Sequence, residues 1–206
     1  MEDVLDVYQR PYDPDFPVVC MDESTKQLIG EVTDPIAMTE NHCELIDHEY
    51  VRNGVATIFA EVEPLGARRH IEITESRTAK DWAKFVQEML DERYPDAKKV
   101  ILVLDNLNTH KIASLYEAFP PEEAKRLADR LELHFTPVHG SWLNICEIEL
   151  SVLGKQCLNR RIEDMETITS EVETWQQQRN NKKASIDWQF TNEKARIKLK
   201  RLYPKL

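Results

Sequence analysis

Val100-Ile-Leu-Val-Leu-Asp-Asn-Leu-Asn-Thr-His110 is the stretch from which the rest of this chain is best understood. Five consecutive apolar residues, three of them β-branched, predict a strand buried on both faces. It ends on Asp105-Asn106, short polar side chains that favour a turn. Open α/β sheets place their ligands at the carboxyl ends of such strands. A carboxylate there needs a cation, a donor or water.

Working outward, Val18-Val-Cys-Met-Asp22 predicts a first strand, again closed by an aspartate, with Gln27–Val32 as a short extended continuation. Residues 1–16 hold Pro11 and Pro14, with Pro17 just beyond, and are read as an extended lead-in. Residues 34–53 have no clean period and form an excursion. Val55–Val62 and Arg69–Thr74 predict a hairpin around Pro64-Leu-Gly66. Thr78 caps a helix to about Arg93 that Tyr94-Pro95 stops.

After the central strand come helices at 112–119 and 121–131, a short strand at 133–136, and a helix capped by Asn144 that runs to about Leu158. Further helices are expected at 165–180 and 191–202. A meander followed by alternating helix and strand predicts an α/β fold, a mixed sheet flanked by helices, and matches the ribonuclease H-like order. Residues 17–160 form the core domain in this reading, and 161–206 a helical, basic extension packed on it.

No window approaches 18 apolar residues, and the acidic start Met1-Glu-Asp lacks the features of a signal peptide. Cys20, Cys43, Cys146 and Cys157 form no C-x-x-C pair, so they are read as reduced thiols of a cytoplasmic protein. The net charge of −10 is unevenly spread. Residues 1–150 carry 15 Lys and Arg against 30 Asp and Glu, whereas residues 151–206 carry 12 against 7. Carboxylates collect in the domain and cations in the tail.

Three carboxylates fall at meaningful places: Asp22, Asp105, and Glu147 on the helix after the last strand. Neighbouring strands bring the two aspartates together despite 83 positions between them. Such crowding calls for protons or divalent cations, and all-oxygen ligands suit Mg²⁺. Glu149 competes with Glu147, because two positions on a helix differ by roughly 200° and both cannot face one metal. Helical geometry alone leaves that choice open. Strand alternation turns Glu23 away from Asp22.

Val19-Cys-Met-Asp-Glu23, then Val103-Leu-Asp-Asn-Leu-Asn-Thr-His110, then Pro137-Val-His-Gly-Ser-Trp-Leu-Asn-Ile-Cys-Glu147 resemble the DDE transposases of the mariner superfamily. The nearest branch is the bacterial insertion-sequence family six-thirty. The resemblance implies that Asp22, Asp105 and Glu147 bind Mg²⁺ or Mn²⁺, hydrolyse DNA at transposon ends and direct strand transfer into target DNA. It departs from the pattern in two places. Forty-one residues separate Asp105 from Glu147, with 118–130 as an insertion, and Ile145-Cys146 replaces Pro-Ile.

Asn106, His110, His139 and Trp142 are candidate DNA contacts near the site. Asn106 and His110 serve equally as helix caps, and Trp142 as a packed loop anchor. Lys194, Lys198 and Arg201 are candidate phosphate contacts, with a solvated helix as the plain alternative. His42, Cys43 and His48 lack zinc spacing and are read as structural or surface residues. A homodimer and nucleoid association when DNA-bound are further expectations. Sixteen residues before the first strand leave no room for the helix-turn-helix region of the superfamily. The chain is therefore expected to be truncated, half of a split frame, or excised, and an inert remnant is the alternative to an active enzyme.

Overall fold

A computed structural model describes residues 1–203; the last three residues of the expected C-terminal extension lie outside them. The chain runs α1 (Glu2–Tyr8), β1 (Val18–Glu31), β2 (Tyr50–Glu63), β3 (Arg68–Thr74) and α2 (Ala79–Glu88), whose last turn, Met89–Arg93, is π-helical. It continues through β4 (Val100–Leu104), α3 (Ile112–Ala118), α4 (Pro121–Asp129), β5 (Leu131–Phe135), α5 (Ile145–Gln156), α6 (Met165–Asn181) and α7 (Asn192–Lys198). Single 3₁₀ turns precede α5 and follow α7.

The five strands form one mixed sheet in the order β3-β2-β1-β4-β5. The meander β1-β2-β3 is antiparallel, and β4 and β5 continue parallel to β1. Alternation along the strands divides the core in two. Cys20, Ile101 and Val103 face α1, α5, α6 and α7. Val19, Met21, Leu102 and Leu104 face α2, α3 and α4. This is the ribonuclease H-like mixed sheet flanked by helices. No helix among the described residues is long and apolar enough to cross a membrane.

Two expectations need correction. Residues 2–8 are a helix rather than an extended lead-in, and Val4, Leu5 and Val7 are buried. Seven residues are too few for a helix to hold by itself, so packing supports it. The Tyr8 hydroxyl adds an anchor, donating to Leu143 O at 2.7 Å and accepting from Ile145 N at 3.3 Å.

The second correction concerns β1, which does not close at Asp22. Residues 23–26 join it to the extended continuation expected at Gln27–Val32, and one strand runs to Glu31, paired with β2 from Cys20 on with a bulge between Leu28 and Ile29. Beyond Cys20 it parts from β4. The outer ribbon has half-exposed faces, so polar residues such as Ser24, Thr25 and Gln27 suffice there and no apolar run marks it. The excursion between β1 and β2 carries two isolated antiparallel bridges, Ile36 with Leu45 and Thr39 with His42.

Candidate active site at the carboxyl end of the parallel strands

The parallel ladder of β1 and β4 has Cys20 opposite Val103 as its last rung. Asp22 and Asp105 each lie two residues farther on. Side chains two apart on a strand share a face, so Asp22 belongs to the α5 side with Cys20, while Asp105 follows directly on the end of β4.

Asn144 fixes the third element. Its Oδ1 caps α5 by accepting from Cys146 N at 3.1 Å, while Nδ2 donates to Met21 O at 2.8 Å and Asp22 Oδ2 at 3.2 Å. The start of α5 is thereby tied to β1 beside Asp22. Glu147, in the first helical turn, is exposed. Burial pushes the Asp22 carboxyl up to about 7, and the negative charges of Glu147 and Asp105 push the same way. Glu147 and Asp105 are therefore each within electrostatic reach of Asp22.

Glu149 points elsewhere. It is buried and accepts from Arg179 Nη2 at 3.0 Å, while Arg69 Nε lies 3.0 Å from its other oxygen. Asn180 of α6 also bonds the Arg69 backbone in both directions, N–H to Oδ1 at 3.0 Å and Nδ2 to O at 2.9 Å. Glu149 therefore anchors α5 to β3 and α6.

His110 is placed differently from the DNA contact or helix cap expected of it. It is fully buried, with Nδ1 at 2.5 Å from Asp105 Oδ1 and Nε2 at 2.9 Å from Glu23 Oε1. Its ring packs 5.7 Å from that of Trp82. Burial opposes its charging, but the bonds to Asp105 and Glu23 outweigh that and raise it to about 9. Both ring nitrogens then donate. Glu23 turns away from Asp22, as alternation requires, and reaches the site through this histidine. No periodicity in the sequence marks that partnership.

Asn106 and His139 line a cleft of about 350 Å³ with Asp105, Asn108, Thr136 and Ser141. His139 adopts a left-handed backbone with φ of 61°, which turns the loop over the cleft. Trp142 is half-exposed and stands edge-on to Phe190. Lys194, Lys198 and Arg201 are exposed on α7 and the turn after it, outside this cleft lining. Lys194 Nζ donates to Gln189 O at 2.6 Å.

The donor set fits a hard divalent cation: carboxylates without thiolates, crowded enough to lift the Asp22 carboxyl. Among the described residues no group of three or more His, Cys, Asp or Glu side chains is placed so as to hold a metal ion. An open edge is compatible with Mg²⁺, which keeps several waters and takes only one or two carboxylates.

A family model described as DDE superfamily endonuclease matches residues 17–169. No curated protein matches the sequence. Among solved structures, the Mos1 mariner paired end complex with Mn is similar with a TM-score of 0.56 and 13% identity, over 88% of this chain and 56% of that one. The Mos1 transposase paired-end complex with left transposon end gives 0.57 and 13%, over 88% and 58%. The simian T-cell lymphotropic virus intasome in complex with PP2A regulatory subunit B56 gamma gives 0.52 and 12%, over 81% and 49%. At these identities the likeness establishes the fold. The chain spans a little over half the length of the Mos1 chains it matches.

Proposed function

The chain belongs to the DDE superfamily of endonucleases, and on that premise we propose that it is a transposase catalytic domain that cuts DNA at transposon ends and joins them to target DNA. The observation that carries this reading is that Asp22 and Asp105 each lie two residues beyond the last rung of one parallel ladder, with Glu147 at the start of the helix tied to Asp22. Asp105-Asn-x-x-x-His110 and Leu143-Asn-x-x-Glu147 support assignment to the bacterial insertion-sequence family six-thirty.

Asp22, Asp105 and Glu147 would hold Mg²⁺ or Mn²⁺. Such a cation, when bound, stabilises negative charge on the attacking and leaving oxygens of a phosphodiester displacement. The protein's own part is positioning. Asn144 keeps Asp22 and α5 in register, and Asp105 is held from behind by His110. Asn106 and His139 offer polar contacts to a strand in the cleft, and Trp142 an exposed ring for a base. Lys194, Lys198 and Arg201 would meet phosphates farther along the duplex and confer affinity without sequence preference. A DNA partner and paired copies of the chain follow from the same reading.

The test is nicking of supercoiled plasmid by the full chain with Mg²⁺ or Mn²⁺. Asp105→Ala is expected to abolish metal-dependent nicking while keeping the circular dichroism of the folded chain. Nicking that persists in Asp105→Ala, or that proceeds undiminished in EDTA, overturns the proposal.

A further inference from the structure

We propose that Glu23 is the common brace of the two aspartates, orienting Asp22 through its backbone and Asp105 through His110, so that both present fixed oxygens to a divalent cation. The inference rests on the metal-binding reading of Asp22 and Asp105 and assigns a positioning role to two residues outside that carboxylate set.

The Glu23 N–H donates to Asp22 Oδ1 at 2.8 Å. Its carboxylate Oε1 lies 2.9 Å from His110 Nε2, and His110 Nδ1 lies 2.5 Å from Asp105 Oδ1. One residue thus reaches both aspartates by two routes. The Leu107 N–H adds a weaker bond to the same Asp105 oxygen at 3.3 Å. Asp105 Oδ1 is thus engaged from within the protein by both His110 and Leu107. Hydrogen bonds of this kind fix a ligating carboxylate's orientation, and their loss typically lowers metal affinity about 10–100-fold.

The setting makes the brace stiff. His110 has no exposure, the Glu23 side chain is 4% exposed, and the indole of Trp82 packs on the imidazole. The segment from Asp105 to His110 therefore turns over the end of β4 and is pinned by His110 against Trp82 and Glu23. A carboxylate buried there as Glu23 is would be costly without His110. The geometry alone is also that of a buried ion pair serving only the fold, and the experiment separates the two.

Mn²⁺ alone is titrated into the full chain, followed by calorimetry and by the spin-resonance signal of free Mn²⁺; melting temperature is read without metal. Glu23→Gln and His110→Ala are expected to weaken Mn²⁺ binding about 10–100-fold. The double variant is expected to fall no further than the weaker single variant, because both changes break one chain of bonds. His110→Asn, which keeps a donor near the Nδ1 position, should recover part of the affinity and make it insensitive to Glu23→Gln. If His110→Ala does not fold, Glu23→Gln and His110→Asn decide the matter. Wild-type Mn²⁺ affinity in Glu23→Gln and His110→Asn, with only the melting temperature lowered, overturns the brace and leaves the site reading intact. Absence of Mn²⁺ binding by the wild-type chain overturns both.

Discussion

Asp22, on β1, and Asp105, just past the end of β4, each lie two residues beyond the last paired rung of their parallel ladder, Cys20 with Val103. That register brings the charge of Asp105 within reach of Asp22, where burial already disfavours ionisation of the Asp22 carboxyl. Such crowding costs stability and is retained where function uses it. Asp22→Asn removes a repelling, partly buried carboxylate. It is expected to raise the melting temperature of the metal-free chain by a few degrees, of the order that about 1 kcal/mol produces. The same substitution should abolish stabilisation by added Mn²⁺. A lower melting temperature without metal would contradict the repulsion.

Glu147 and Glu149 should fail in opposite ways. Glu149 neutralises Arg69, whose side chain is fully buried. Glu149→Ala leaves that cation unpaired and is expected to cost about 3–5 kcal/mol in urea unfolding. Glu147→Gln alters an exposed side chain and should leave stability within about 0.5 kcal/mol while nicking is lost. Loss of stability in Glu147→Gln with normal stability in Glu149→Ala would reverse the assignment.

Asn144 joins helix capping to the site. Asn144→Ala loses the cap on Cys146 N and the bonds to Met21 O and Asp22. The cap alone is worth about 1 kcal/mol, so a loss of roughly 1–3 kcal/mol is expected once the buried Met21 carbonyl is left unpaired. Asn144→Asp keeps the cap but not the donor. It should recover part of the stability and little of the nicking.

His70 gives the fold an acid sensitivity outside the site. Burial, with Arg93 nearby, holds it down to about 4 against an ordinary 6.5. The unfolded chain therefore takes up the proton first as pH falls. The contribution of neutral His70 is complete above about 6.5 and is lost as pH drops toward 4. Discounted for its partial exposure, the loss between pH 7 and 5 is about 1 kcal/mol. Urea melts at both pH values should show that difference shrinking in His70→Gln.

The cations after α6 should govern DNA affinity. Replacing Lys198 and Arg201 together by alanine is expected to weaken binding equally on any duplex. If both meet phosphates, the salt slope falls by about 2. An unchanged slope would place them as solvated surface residues.

The sequence by itself determined the central strand, the hairpin around Pro64-Leu-Gly66, the capped helices at Thr78 and Asn144, and the aspartates at the carboxyl ends of β1's parallel ladder and of β4. These rest on local signals: apolar runs, turn residues and caps. The ribonuclease H-like order followed from their succession. What tertiary structure decided lacks a local signal. The helix at 2–8 is too short to declare itself and is held by packing of Val4, Leu5 and Val7. That Val18–Asp22 and the extended segment at Gln27–Val32 are one strand was hidden because the outer half of β1 lies on a two-stranded ribbon that needs no apolar face. Helical spacing left Glu147 and Glu149 open; Arg69 and Arg179, distant in sequence, claim Glu149 and leave Glu147 exposed beside the aspartates. His110 and Glu23, 87 positions apart, became partners only when β1 and β4 were laid side by side. A bond between distant residues leaves no period in either segment, so only the folded chain reveals it.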